Sequence, residues 1–309
     1  MWTRSRFVNE YVPGLFAVAV DAYTKKRGES KWPKLFDIKT SKKKKEENTE
    51  RTGLGLPVLK GEGGPVTYDT EIAGPKQAWV HSVFALAVRI TEEAVDDNLY
   101  ELGGGGSGDE LKEIFKDLGE SMEENLETLA ARFLVTGSET TYHGTREATA
   151  LPLFDSTHYR IDGSTFDNEG SGSDLTYSTF WTAIVAAENQ QNNRQFRIQK
   201  KVRRLYIPPV LEKNAREILF SPDRPDTANR AISAYANSGR NIELVVWQYL
   251  TDLDAWYMQL TGRGLIFFWR RMTRFARERE FQTGDMMCKA DQRFSAEIDD
   301  AQGWWANIP

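Results

Sequence analysis

The sequence has 309 residues, 40% of them apolar and 12% aromatic, with 40 Lys and Arg against 45 Asp and Glu for a net charge of −5. A chain of this length buries roughly three quarters of the surface that its unfolded form exposes, so a packed body is expected and global disorder is excluded. The mild charge excludes bulk attraction to nucleic acid or anionic membrane, one cysteine excludes an intramolecular disulfide framework, and no stretch reaches the ~18 apolar residues of a membrane span.

In chain order, the basic start from Met1 to Phe7 has no apolar run that would mark an export signal. Residues 1–33 read as an arm with one helical piece at 18–23. From Lys34 the character changes. A strand-like stretch at 35–38 is followed by Lys42, Lys43, Lys44, Lys45, Glu46, Glu47, Glu50 and Arg51, and then by glycines at 53, 55, 61, 63, 64 and 74. The composition predicts an extended β-ribbon with a flexible tip, too polar to be a core element.

Doubled back as a hairpin over 34–78, each limb spans roughly 65 Å at 3.3 Å per residue. The body has a radius of gyration of only about 19 Å. The arm therefore outreaches its own domain, and it is expected to order on a neighbouring copy or to remain a solvated insertion.

Residues 78–90 read as the first strong strand, with His81 a strand residue, and Thr91 signals a helix start. After the glycine run 103–108, Leu111, Ile114, Phe115, Leu118, Met122, Leu126, Leu129 and Phe133 recur at spacings of three and four. They predict a long amphipathic helix over 109–134, capped by Asp109. Its eight Asp and Glu against three Lys and Arg are expected to face solvent, or else a basic partner.

Residues 136–175 read as irregular connections around short strands. A helix is expected at 176–189 and a strand at 197–207, ended by Pro208 and Pro209, which open a helix over 210–220. Further strands are expected at 242–246, 265–269 and 285–294, before the aromatic tail with Trp304 and Trp305.

The search for chemistry returns little. The glycines at 103–108 open a helix without the preceding strand of a dinucleotide site, and Asp109 and Glu110 stand where a P-loop needs Lys and Ser or Thr, so a hinge is the better reading. His81, His143 and His158 share no metal-ligand spacing, Cys288 reads as a core thiol, and no serine elbow is present. Asp252 and Asp254 read as a capped turn. Two basic runs, Arg194, Arg197, Lys200, Lys201, Arg203, Arg204 and then Arg270, Arg271, Arg274, Arg277, Arg279, are expected to form ion pairs within the chain or across a subunit contact. Neither an enzymatic centre nor a cofactor is expected.

The stretch 205–219 with its diproline, Asn229, the strand 242–246 and the series Tyr249-Leu-Thr-Asp-Leu-Asp-Ala-Trp-Tyr257 resemble, in that order, the major capsid (major head) proteins of tailed bacteriophages. Residues 84–97 and the ending around Phe294 are similar as well. The resemblance implies an α+β chain of the Hong Kong 97 type, with an N-terminal arm (1–33), an extended β-hairpin loop (34–78), a peripheral domain with the spine helix (79–137 and 263–296) and an axial domain (138–262 and 297–309).

It further implies rings of five and six subunits that close into an icosahedral head shell, each extended loop lying over the adjacent subunit. Packaged double-stranded DNA would lie on the inner face without sequence-specific contacts. Scaffold, portal and decoration proteins are possible partners, with assembly in the host cytoplasm and final residence in the virion. Lys42, Lys43, Lys44, Lys45, Gly53, Gly55, Arg274 and Arg277 are the candidate subunit contacts. The alternatives are an encapsulin-type nanocompartment shell and a nucleic-acid-binding protein.

Overall fold

The computed structural model describes residues 12–93, 107–139, 152–223, 232, 233, 235 and 238–309. The Gly103–Gly106 part of the glycine run, His143, Asn229 and the helix signalled by Thr91 beyond residue 93 lie outside them. The chain enters through helix α1 (Val12–Glu29), a 3-10 turn (Trp32–Lys34) and strand β1 (Phe36–Thr40). The helical piece expected in the arm is therefore far longer, and it is docked. Its buried stripe of Leu15, Ala19 and Tyr23 forms one cluster with Phe115, Leu118 and Met122 of helix α2 (Ser107–Val135). Gly119 permits the close approach, since a Cβ there would stand 2.2 Å from the Ala19 carbonyl oxygen.

Helix α2 has 29 residues and a length of about 43 Å. The threefold and fourfold apolar spacing produced it as expected, but it begins at Ser107, so Asp109 lies within the first turn and does not cap it.

Between α1 and α2 the chain forms a ribbon of strands β2 (Lys45–Arg51) and β3 (Ala73–Val80), then strand β4 (Ser82–Ile90). The single strand expected over 78–90 is thus two strands in different sheets. They break at His81, whose buried ring meets Ser295 Oγ at 3.0 Å and Ser41 Oγ at 3.1 Å and so fixes the exit of the ribbon from the body.

Beyond α2 follow a short pair, β5 (His158–Tyr159) and β6 (Thr165–Phe166), helix α3 (Tyr177–Glu188), strand β7 (Val202–Ile207), helix α4 (Glu212–Phe220), and strands β8 (Glu243–Val246) and β9 (Trp256–Leu260). Thr176 caps α3 by accepting from the Thr179 amide, as its position before the apolar run suggests. The chain ends with β10 (Leu265–Arg279), β11 (Met286–Ile298) and β12 (Trp304–Asn307).

Two four-stranded sheets result, ordered β1-β10-β11-β4 and β12-β9-β7-β8. Strand β1 is parallel to β10, with Phe36 opposite Leu265, so residues 36–40 belong to the first sheet and not to the projecting ribbon. Strand β10 is three times the expected length because its arginine half is still paired, Arg274 opposite Asp291 and Arg277 opposite Cys288.

One aromatic core joins the two sheets. Trp32 lies 4.9 Å from Phe267 and 6.2 Å from Trp269 between ring centroids, while Tyr206 and Trp304 of the second sheet belong to the same cluster. A separate cluster of α3, α4 and the far face of the second sheet, around Phe180 and Trp256, completes the interior.

Candidate assembly surface

The ribbon pairs antiparallel from Lys45 opposite Val80 to Arg51 opposite Ala73. Its paired limbs span roughly 23 Å at 3.3 Å per residue, well short of the fully extended reach, because β1 has joined the first sheet and no strand runs between Arg51 and Ala73. Residues 52–72 connect the two strands, and there Leu54, Leu56, Val58, Val66 and Tyr68 are exposed, Tyr68 at 94% and Leu59 at 97%. Large apolar side chains left exposed together in one segment mark an interaction surface. Averaged composition hid it from sequence reading, although the alternation of Leu54, Leu56 and Val58 was a visible signal.

Among the candidate contacts, Lys42, Lys43, Lys44 and Lys45 are exposed at the turn into β2. Lys43 reaches Glu46 at 3.2 Å. Lys45 and Lys76 both hold Glu47, at 2.7 and 2.5 Å, and pull its carboxyl down to about 2, Lys45 contributing most. Gly53 adopts φ +71, a left-handed conformation suited to glycine, and its carbonyl accepts from Arg194 at 3.3 Å. The Gly55 amide donates to Asp69 Oδ2 at 2.6 Å. These six residues share the ribbon. Arg274 and Arg277 do not, since both lie on β10.

Both basic runs are largely engaged within the chain. Arg271 and Arg274 pair with the buried Asp291 at 2.6 and 2.9 Å, Arg277 sits 5.6 Å over the Phe16 ring, and Arg279 pairs with Glu92 at 2.5 Å. In the first run Lys200 pairs with Asp300 and Arg204 with Glu243, at 2.8 and 2.7 Å. Such use leaves fewer cations for a phosphate backbone.

The acidic side of α2 departs from the expected solvated face. Glu123 and Glu127 are buried. Glu127 accepts from the backbone amides of Lys31 and Trp32 and, at 2.6 Å, from the indole of Trp247. Glu123 accepts from the Trp32 indole at 2.5 Å. Burial pushes the Glu123 carboxyl above the ordinary range, against the hydrogen bond from Trp32 and the nearby Arg27 charge. Glu124, one residue on, holds Lys26 and the Tyr249 hydroxyl. Three acids thus fasten the entry segment and the loop after β8 to the long helix. Sequence reading missed them because their partners are remote in the chain.

Among the described residues no group of three His, Cys, Asp or Glu side chains is placed to hold a metal ion, and no helix is long and apolar enough to cross a membrane. Asp252 Oδ1 accepts from the Asp254 and Ala255 amides, which is the capped turn expected. Cys288 is buried, and burial raises its thiol to about 11. A polar cavity of about 330 Å³ lies between the outer half of the ribbon ladder and the body, lined among others by Glu50, Arg51, Lys200 and Asp300. The surface that remains conspicuous is the ribbon and its apolar tip.

Comparison with known proteins decides what that surface belongs to. The profile of the phage capsid protein family matches residues 79–307, most of the chain. The chain belongs to the phage capsid protein family. As a capsid protein it is a component of a virion shell.

In structure the capsid chain is similar to that in the capsid of an empty GTA particle, with a TM-score of 0.54, 10% identity and coverage of 89% of this chain and 87% of that one. It is likewise similar to the capsid of Cyanophage P-SCSP1u, at a TM-score of 0.53 and 11% identity over 90% and 87% of the two chains. A chain of Mycobacterium phage Adephagia gives 0.53 and 12% over 91% and 90%. At such identities the likeness establishes a shared mixed helix and sheet fold. No curated protein matches the chain in sequence.

Proposed function

We propose that the protein is the major capsid subunit of a tailed-phage head, assembling in rings of five and six that close into an icosahedral shell. The observation that carries this is family membership over 79–307 together with a projecting ribbon whose tip exposes Leu54, Leu56, Leu59 and Tyr68. A chain that leaves such a patch uncovered gains stability when a second copy covers it, at about 25 cal/mol per Å² of apolar surface.

In this reading the α1 segment is the N-terminal arm and the β2–β3 ribbon with residues 52–72 is the extended loop. Helix α2 is the spine, the first sheet the peripheral domain and the second sheet the axial domain. The loop lies over an adjacent subunit through heterologous contacts, with Lys42, Lys43, Lys44 and Lys45 at its base. Gly53 and Gly55 shape the loop, and Arg274 and Arg277 brace the first sheet from its exposed side, on Asp291 and on the Phe16 ring. The role is structural and not enzymatic. Shells form in the host cytoplasm, with scaffold and portal proteins as expected helpers, and enclose double-stranded DNA held without sequence readout.

An encapsulin-type cargo shell is the less favoured reading, because the matching family is that of phage capsid proteins. Replacing residues 54–68 with a short turn tests the role of the loop. The body should fold while closed particles fail to form, and normal particle yield from the shortened chain would refute the reading.

A further inference from the structure

The outer end of the ribbon ladder, away from His81, is gripped from the side by a turn that the family assignment does not explain. Residues 192–196 fold back on themselves: the Asn192 amide donates to the Phe196 carbonyl at 2.8 Å, and the Gln195 amide to the Asn192 carbonyl at 2.9 Å. The Asn192 side chain accepts from the Arg194 and Phe196 amides, both at 2.9 Å. Gln195 at its apex takes φ +61, and among the described residues no other non-glycine residue has a positive φ. A left-handed glutamine is a strained conformation that persists only where its surroundings enforce it, and such strain gathers at functional positions.

What the turn presents is Arg194. Its Nη2 donates to the carbonyl of Gly53 on one limb, at 3.3 Å, and to that of Thr70 on the other, at 2.8 Å. It also stands 3.5 Å from Asp69 Oδ2, the oxygen that accepts the Gly55 amide and thereby bridges the limbs a second time. The Gly55 amide, with Arg194 behind it, holds the Asp69 carboxyl below its ordinary range, so the group is ionised. The neighbouring Asn193 donates to Glu50 of β2 at 2.8 Å. These contacts lie just where the strand ladder stops, next to the Thr52 amide, which donates to the Ile72 carbonyl at 3.2 Å, and the Ile72 amide, which donates to the Thr52 hydroxyl at 3.0 Å.

We propose that Arg194 is the positioning residue of the extended loop. Displayed by the strained 192–196 turn, it locks the two limbs together where the strand ladder ends and fixes the direction in which the apolar tip meets a second copy of the chain. The inference rests on the loop reading above. It assigns the first basic run a purpose other than nucleic-acid binding: pre-ordering of the loop in the free subunit, so that less conformational freedom is lost when a neighbour is engaged. All three contacts converge on the one terminal nitrogen Nη2, so the end of the long, rigid guanidinium plane carries its charge between the two carbonyls and the carboxylate.

The test compares wild type with Arg194→Ala, Arg194→Lys, Asp69→Asn and a chain with residues 54–68 replaced by a short turn. Limited proteolysis of unassembled subunits reports on the loop, and electron microscopy gives particle yield. Removal of a charged hydrogen-bonding group of this kind is expected to raise cleavage within 54–68 by about tenfold and to lower particle yield, with the melting temperature little changed. Arg194→Lys should fall between, and Asp69→Asn should follow Arg194→Ala in direction, which guards against a folding defect peculiar to one variant. If Arg194→Ala cleaves and assembles as wild type while the shortened chain does not assemble, the positioning role is overturned and the loop reading stands. If the shortened chain assembles normally, the loop reading falls and the positioning role with it.

Discussion

The indole nitrogen of Trp247 donates to Glu127 Oε2 at 2.6 Å across 120 residues of sequence, while the other oxygen of the same carboxylate accepts from the amides of Lys31 and Trp32. One side chain on the long helix therefore holds the entry segment and the second sheet together. Each oxygen of that buried carboxyl is met by donors, which offsets the cost of taking it out of water.

Truncating that carboxylate leaves three donors, two of them buried, without their acceptor. Glu127→Ala should destabilise the subunit by about 3 kcal/mol or more, read from the denaturant midpoint. A Trp247→Phe variant keeps much of the packing and removes one donor, and it should cost about 1 to 2 kcal/mol. Equal and negligible effects would show that the contact carries no stability.

Glu123 predicts an unusual pH dependence. Burial raises its carboxyl above the ordinary value of 4.5 and outweighs the hydrogen bonds from Trp32 and Ser30, which act the other way. The folded state thus keeps a proton that the unfolded chain releases near 4.5. The stabilisation is complete below that value and is lost as pH rises through the folded-state value. Glu123→Gln, which is neutral at every pH, should flatten the fall of melting temperature above about pH 5. An unaltered slope in the variant would exclude Glu123 as its source.

Cys288 is sealed beneath the docked helix α1 in the cluster with Leu15 and Phe115. Thiol reagents should leave it unmodified in the native subunit and modify it fully in denaturant. Rapid native labelling would mean that α1 undocks readily from the first sheet.

How far these features were legible depends on the distance of their causes. The long helix was visible because its signal is local: Phe115, Leu118, Met122 and Leu126 repeat within the window a helix samples. The capped turn at Asp252 was visible for the same reason. Glu123 and Glu127 were read as solvated because nothing near them in sequence reveals that Trp32 and Trp247 fold over them.

The arginine half of β10 was illegible as strand because its charges are matched across the ladder by Asp291. The ribbon was foreseen from its composition. The clamp at the outer end of its ladder was not: Arg194 lies 124 residues from Thr70, and only the folded chain places them together. His81 likewise reads as one more strand residue until Ser41 and Ser295 close on it.

The central claim is that this subunit builds a closed shell through its ribbon. The most direct measurement is electron microscopy, with light scattering, of the intact protein at high concentration together with any required scaffold. Closed, uniform particles are predicted. A protein that remains monomeric under those conditions, with ribbon and arm intact, would contradict the account.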